Sequence, residues 1–179
     1  MNIEAVKTFY DLLGHKKQTE IRAIELSKDF KTSKVKGHYF VSSEEEFVSK
    51  IQELNGKYNL YAGLNERVAQ GTEATDVISV KRIFADIDCI TKPATAEDLQ
   101  EAEKVTDEII SVIEKQTGLR ATKIYSGNGY QLVFCIPEIE LTEVNREEVQ
   151  AQVQQFLKDL IKKYSNDKEI GRASCRERV

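Results

Sequence analysis

Asp86 and Asp88 stand two residues apart inside RIFADIDCI, a run otherwise rich in apolar and β-branched residues. Alternate side chains of a strand project from one face, so this spacing sets the two carboxylates side by side. Two acids on one half-buried face repel each other unless a cation lies between them, and hard oxygen donors suit Mg²⁺ or Mn²⁺ carrying phosphates. A second candidate group is Ser126-Gly127-Asn128-Gly129, a turn of small residues whose backbone N–H groups can approach an anion closely. Each feature alone has a plain reading, as strand-end aspartates facing water or as an ordinary hairpin turn. Together they describe a site for a nucleoside triphosphate and a divalent metal.

Composition narrows the alternatives. The chain has 179 residues, 31% of them charged and 40% hydrophobic, and a formal net charge of −4. It lacks any apolar run near the ~18 residues that a membrane helix needs, so no membrane partner is expected. Glu4, Lys7 and Asp11 are mixed into the apolar positions of the first residues, unlike a secretory signal, and the expected location is intracellular, in the cytoplasm. His15 and His38 are the two histidines, which leaves carboxylates as the main source of metal ligands. Cys89 and Cys135 lie in apolar strand-like stretches without C-x-x-C spacing and read as buried reduced thiols. The acidic balance argues against non-specific coating of nucleic acid, yet Lys28 to His38 gathers Lys31, Lys34 and Lys36 between Phe30 and Tyr39. Such a stretch can track a phosphate backbone, or be a solvated loop between strands.

The elements that must position these groups follow from periodicity and caps. Ile3, Val6, Tyr10 and Leu13 recur at helical spacing before Gly14, and residues 19–26 and 35–41 read as strands around the lysine-rich loop. Ser43 and Glu46 form a capping box for a helix ending at Asn55-Gly56. Residues 58–65 read as a third strand, followed by a polar loop from Glu66 to Asp76. The most apolar strand, 77–90, is expected at the centre of the sheet. Thr95 and Asp98 cap a long amphipathic helix closed by Gly118. Residues 121–137 read as a hairpin with a two-residue Asn128-Gly129 turn at positive φ. Asn145 and Glu148 cap a last helix that ends at Tyr164. The alternation of strands and helices predicts an α/β (α+β) class with helices packed on a sheet.

The final segment, Glu169 to Val179, reads EIGRASCRERV. It has no strand or helix period, and it resembles the translation of a common sequencing adapter. The expected division is therefore a fragmentary catalytic domain over 1–168 and a non-native tail over 169–179.

IFADIDC is similar to the first motif of the archaeo-eukaryotic primase superfamily, an apolar strand ending in Asp-x-Asp. IYSGNGYQLVF resembles its second motif, Ser-Gly-x-Gly leading into a strand that bears a histidine. The order of the two motifs, the helix between them and the preceding EIRAIE and NLYAGLNER strands also resemble plasmid and viral primase-polymerases, over roughly Thr19 to Lys168. The resemblance implies an RRM-like catalytic core joined to an amino-terminal α/β unit and incomplete at its carboxyl terminus. It implies that Asp86 and Asp88 hold two Mg²⁺ or Mn²⁺ ions, and that Ser126, Gly127, Asn128, Gly129 and Gln131 hold the nucleotide. The implied reaction transfers nucleotides to a 3′-hydroxyl on a single-stranded DNA template and primer, in replication of a mobile element or virus, with a fused or associated helicase.

Two departures accompany the resemblance. The family's histidine falls at Gln131, which can donate a hydrogen bond to phosphate but carries no charge. The third motif, another strand-borne aspartate, follows the helix that here ends at Tyr164, so the chain as written is expected to be inactive although its intact parent is an enzyme. Asn65, Arg67 and Lys123 are further candidates for phosphate or template contact, with Lys81 and Arg82 beside them. Two other readings remain open at this point: a non-catalytic single-strand-binding module on a degenerate primase core, and a glycosyltransferase of the Asp-x-Asp kind.

Overall fold

The computed structural model describes residues 1–26, 33–89, 91, 93–164 and 170–173. The protein is α+β: the described residues form four α-helices and two small antiparallel sheets, and the chain divides into two compact units, Met1–Ser79 and Val80–Val179.

The first unit contains α1 (Ile3–Leu13), β1 (Thr19–Leu26), β2 (Ser33–Val41), α2 (Glu44–Leu54) and β3 (Asn59–Ala62). Both helix starts are set by side-chain oxygens: Asn2 accepts from the N–H of Ala5, and Ser43 from that of Glu46. The Glu46 carboxylate in turn accepts from the N–H of Ser42, 2.7 Å away, one residue earlier than a strict capping box requires. The sheet order is β2-β1-β3. Ile21 and Ala23 of β1 are fully buried on the helix side with Leu13, Phe47 and Leu54, and the Tyr10 and Phe47 rings meet at 5.1 Å. The β1–β2 register breaks once: Ala23 faces Gly37 and Ile24 faces Val35, leaving Lys36 as the extra residue of a bulge. β3 is shorter than the 58–65 stretch expected to be a strand. The chain beyond it makes an isolated bridge between Arg67 and Val77 and a single 3₁₀ turn at Ala74–Asp76 instead.

Apart from Ser79, the last residue of the first unit, β4 (Ser79–Cys89) belongs to the second unit, which continues with α3 (Ala96–Thr117), β5 (Arg120–Tyr125), β6 (Gly129–Glu140), α4 (Arg146–Tyr164) and β7 (Ile170–Ala173). Its strand order is β5-β6-β4-β7, so β6 is inserted between β4 and the strand that follows its crossover helix, the split β–α–β arrangement. β4 is internal, as its apolar character predicts. Ile83, Ala85, Ile87 and Cys89 of β4 and Leu132 and Phe134 of β6 form one core with Ala102, Ile109 and Ile113 of α3 and Val153, Leu157 and Leu160 of α4. The Phe134 ring meets Phe156 edge-on at 5.5 Å. α3 begins in a reciprocal Thr95–Asp98 capping box and stops at Gly118, as the sequence indicates. Asn145 does precede α4, but its side chain accepts from the N–H of Thr142 and donates to the carbonyl of Glu140. It thus fixes the approach to the helix rather than capping it.

β7 lies in the segment where no strand pattern was expected, and it pairs antiparallel with β4, Ile87 opposite Ala173 and Cys89 opposite Ile170. Ladder pairing uses main-chain groups, so a strand edge can accept a partner whose side chains carry no alternating pattern. Among the described residues no helix is long and apolar enough to cross a membrane.

Candidate functional site

β4 alternates strictly from Lys81 onward. Odd-numbered residues through Cys89 are buried, and Arg82, Phe84, Asp86 and Asp88 are half-buried between them. The odd positions enter the core against α3 and α4, which places Asp86 and Asp88 together on the opposite face, as their spacing requires. Oδ1 of Asp86 is shielded from solvent. In β6 the core takes Leu132 and Phe134, so the same alternation puts Gln131 on the face of the two aspartates.

The turn between β5 and β6 is longer than expected. Tyr125 pairs with Tyr130, so Ser126 to Gly129 form a four-residue connection, closed by a 3.0 Å bond from the Ser126 N–H to the Gly129 carbonyl. The left-handed position is Gly127, at φ 94°, not Asn128. Asn128 uses its side chain to tie down two neighbours: Oδ1 accepts from the N–H of Ala94 at 2.8 Å, and Nδ2 donates to the Cys89 carbonyl at 3.4 Å. Its own carbonyl accepts from the N–H of Cys89 at 3.0 Å. Gly129 is required by close approach, since a β-carbon there would stand 2.1 Å from the Ile87 carbonyl oxygen and 3.0 Å from Cα of Asp88. The turn is therefore packed directly on the acidic end of β4, with Ser126 and Gly127 exposed.

Lys123 is not brought to this face. Its partner in β6 is Leu132, which places it on the helix side, where Nζ bonds Glu103 at 3.0 Å and Asp107 at 2.7 Å and lies 5.4 Å from the centre of the Tyr130 ring. Asp107 and then Glu103 raise the ammonium pKa above its ordinary value by hydrogen bonding. Desolvation raises the thiol pKa of Cys89. Both Cys89 and Cys135 are free thiols, Cys89 buried and Cys135 partly so.

The remaining candidates lie in the first unit. Asn65 is buried. Nε of Arg67 stands 3.5 Å from Oε2 of Glu20, and its Nη1 donates to the Glu73 carbonyl. Lys36 is paired with Glu25 at 2.8 Å, Lys34 is exposed opposite Glu25 in the ladder, and Lys31, with Lys28 and Phe30, lies outside the described residues.

Sequence reasoning did not single out Glu20, Arg22, His38 or Tyr61. Glu20 is buried and receives Nδ1 of His38 at 2.6 Å and Nη2 of Arg22 at 3.0 Å on the same oxygen. The available signal was the Glu20-x-Arg22 spacing, which sets both on one face of a strand.

Among the described residues, no group of three or more His, Cys, Asp or Glu side chains is arranged to hold a metal ion. Asp86 and Asp88 form a pair of hard oxygen donors, which fits an ion such as Mg²⁺ that keeps several waters and takes phosphate oxygens as its other ligands. No protein-family model, curated protein or solved structure matches the chain.

Proposed function

We propose that the second unit is the nucleotide site of a primase-polymerase-type nucleotidyltransferase. The observation that carries this reading is the packing of the Ser126–Gly129 turn on β4 at Asp88, on a strand whose Asp86 and Asp88 share one face. The split β–α–β order of the sheet supports it too, because the resembled family has an RRM-like core of that kind. In this reading Asp86 and Asp88 hold Mg²⁺ or Mn²⁺, which when bound offsets the charge of the triphosphate and of the attacking 3′-oxygen. The Ser126 hydroxyl, the exposed amides of the turn and the Gln131 amide donate to phosphate oxygens. The 3′-hydroxyl of a primer would give its proton to water as its oxygen forms a bond to the α-phosphorus, and the bond from that phosphorus to the bridging oxygen would break, releasing pyrophosphate. Gln131 supplies a neutral donor, so recognition of the triphosphate leans on the metal and the turn rather than on a cationic side chain.

The test is calorimetric titration of the 179-residue chain with dATP, with and without Mn²⁺. Binding is expected only with the metal, and Asp86→Asn and Asp88→Asn should each weaken it by about tenfold or more. Equal binding in the absence of Mn²⁺, or wild-type affinity in both variants, would remove the basis of the reading.

A further inference from the structure

The face of the first sheet opposite α1 and α2 carries a chemical row that the lysine-rich segment does not provide. Register puts His38 of β2, Arg22 of β1 and Tyr61 of β3 directly side by side, with Phe40 opposite Glu20 and Val35 opposite Ile24 in the adjacent rows. The helices are on the other side: Nζ of Lys50, in α2, lies 4.9 Å from the ring of Tyr39, which pairs with the core residue Ile21. Tyr61 is 55% exposed.

Glu20 organises the row from below. Its side chain is 4% exposed and faces His38, Arg22 and Arg67, at 2.6, 3.0 and 3.5 Å. One carboxylate among two guanidiniums and an imidazole leaves the group with surplus positive charge, in a chain whose formal net charge is −4. The bonds of Arg22 use Nε and Nη2, to Glu20 and to the Thr72 carbonyl, and Nη1 has no partner among the described residues. Glu20 holds Nδ1 of His38, which leaves Nε2 as the ring nitrogen that Glu20 does not engage. A buried carboxylate thus fixes the Arg22 guanidinium and the His38 imidazole beside an exposed aromatic ring.

We propose that this face binds single-stranded nucleic acid, with Arg22 and His38 on a phosphate and Tyr61 stacked on a base. The inference rests on the reading above for the kind of partner, and on charge complementarity and aromatic exposure for the place. Cation plus stacking platform is the common solution for strands read without regard to sequence. A preference for single strands follows, because the bases of a duplex already stack on one another and offer Tyr61 no free face.

The test measures fluorescence anisotropy of a labelled 20-nucleotide oligo-dT with the full 179-residue chain over a salt series. Tyr61→Leu should weaken binding about tenfold, and Arg22→Gln should weaken it and reduce the slope of log K against log salt by about 0.7. Because Arg22 is also tied to Glu20, circular dichroism of each variant accompanies the titration, and the exposed Tyr61 supplies a variant with an intact fold. Asp86→Asn should lose Mn²⁺-dependent dATP binding while holding oligo-dT as wild type, so failure of the nucleotide site and failure of this face are told apart. Wild-type affinity in both Tyr61→Leu and Arg22→Gln, absence of oligo-dT binding, or equal competition by a 20-base-pair duplex would each overturn the proposal.

Discussion

The two sheets use the face away from their helices in opposite ways. In the first unit that face gathers unlike charges around one buried carboxylate, Glu20, and the contacts are made by residues of two strands and a loop. In the second unit it sets two like charges, Asp86 and Asp88, on one strand and packs a turn on their backbone. Unlike charges in contact fix each other's positions, whereas like charges side by side favour a cation from outside. A self-organised cluster and an acid pair on similar scaffolds teach that the sheet supplies spacing, and charge sign decides whether the site is filled from within or from solution.

The largest expected effect is on the second unit. Gly129→Val drives a branched side chain into the Ile87 carbonyl and should cost on the order of 3 kcal/mol or more, read as a lower urea midpoint with loss of dATP binding. Phe134→Ala in the second core and Phe47→Ala in the first remove rings with almost no solvent exposure, each at about 3–5 kcal/mol. Hydrogen exchange should rise first in the unit that carries the change. Equal rises in both units after either substitution would show that the comparison of two separately organised sheets is mistaken.

Glu20→Gln should cost about 3 kcal/mol, because it leaves cationic partners of a buried carboxylate without their counter-charge. Its effect should be concentrated in amides of β1, β2 and the 66–76 loop. Smaller again is Thr95→Ala, which removes a helix cap worth about 1 kcal/mol. The Thr91 hydroxyl, followed by the N–H and hydroxyl of Thr95, holds the Asp98 carboxyl below its ordinary value of 3.8. A depressed carboxyl contributes stability that is present above the ordinary value and lost as pH falls through the folded value. An NMR titration should therefore place Asp98 below 3.8 in the wild type and nearer to it in Thr95→Ala. The smallest effect is on reactivity alone: a thiol reagent at neutral pH should modify Cys135 before the buried Cys89, whose thiol pKa is raised.

What was legible in the sequence was what is local. The alternation of β4, the Thr95–Asp98 box and the end of α3 at Gly118 depend on residues a few positions apart, and they form as read. The turn was legible in composition but not in length, because Gly129 answers to the Ile87 carbonyl and Asn128 to Ala94 and Cys89, contacts that cross more than thirty positions. Lys123 shares its strand with neighbours of both faces, and only the register of β5 on β6 reveals that it belongs to the helix side. The Glu20 cluster was the least visible. His38 and Arg67 reach Glu20 from other parts of the unit, and no short pattern announces such a meeting.

The bulge at Lys36 bears on how this chain can change length. Ala23 faces Gly37 and Ile24 faces Val35, with Lys36 opposite neither, so loss of its single codon would join two residues already placed for regular pairing. Every other cross-strand partnership, including His38 beside Arg22, would survive. Deletion of Val35 or Gly37 would instead remove a residue that has a partner. Homologous chains compared at this point should differ by a one-residue gap more readily here than anywhere else along β2, and a codon-deletion library should recover that gap among its folded members.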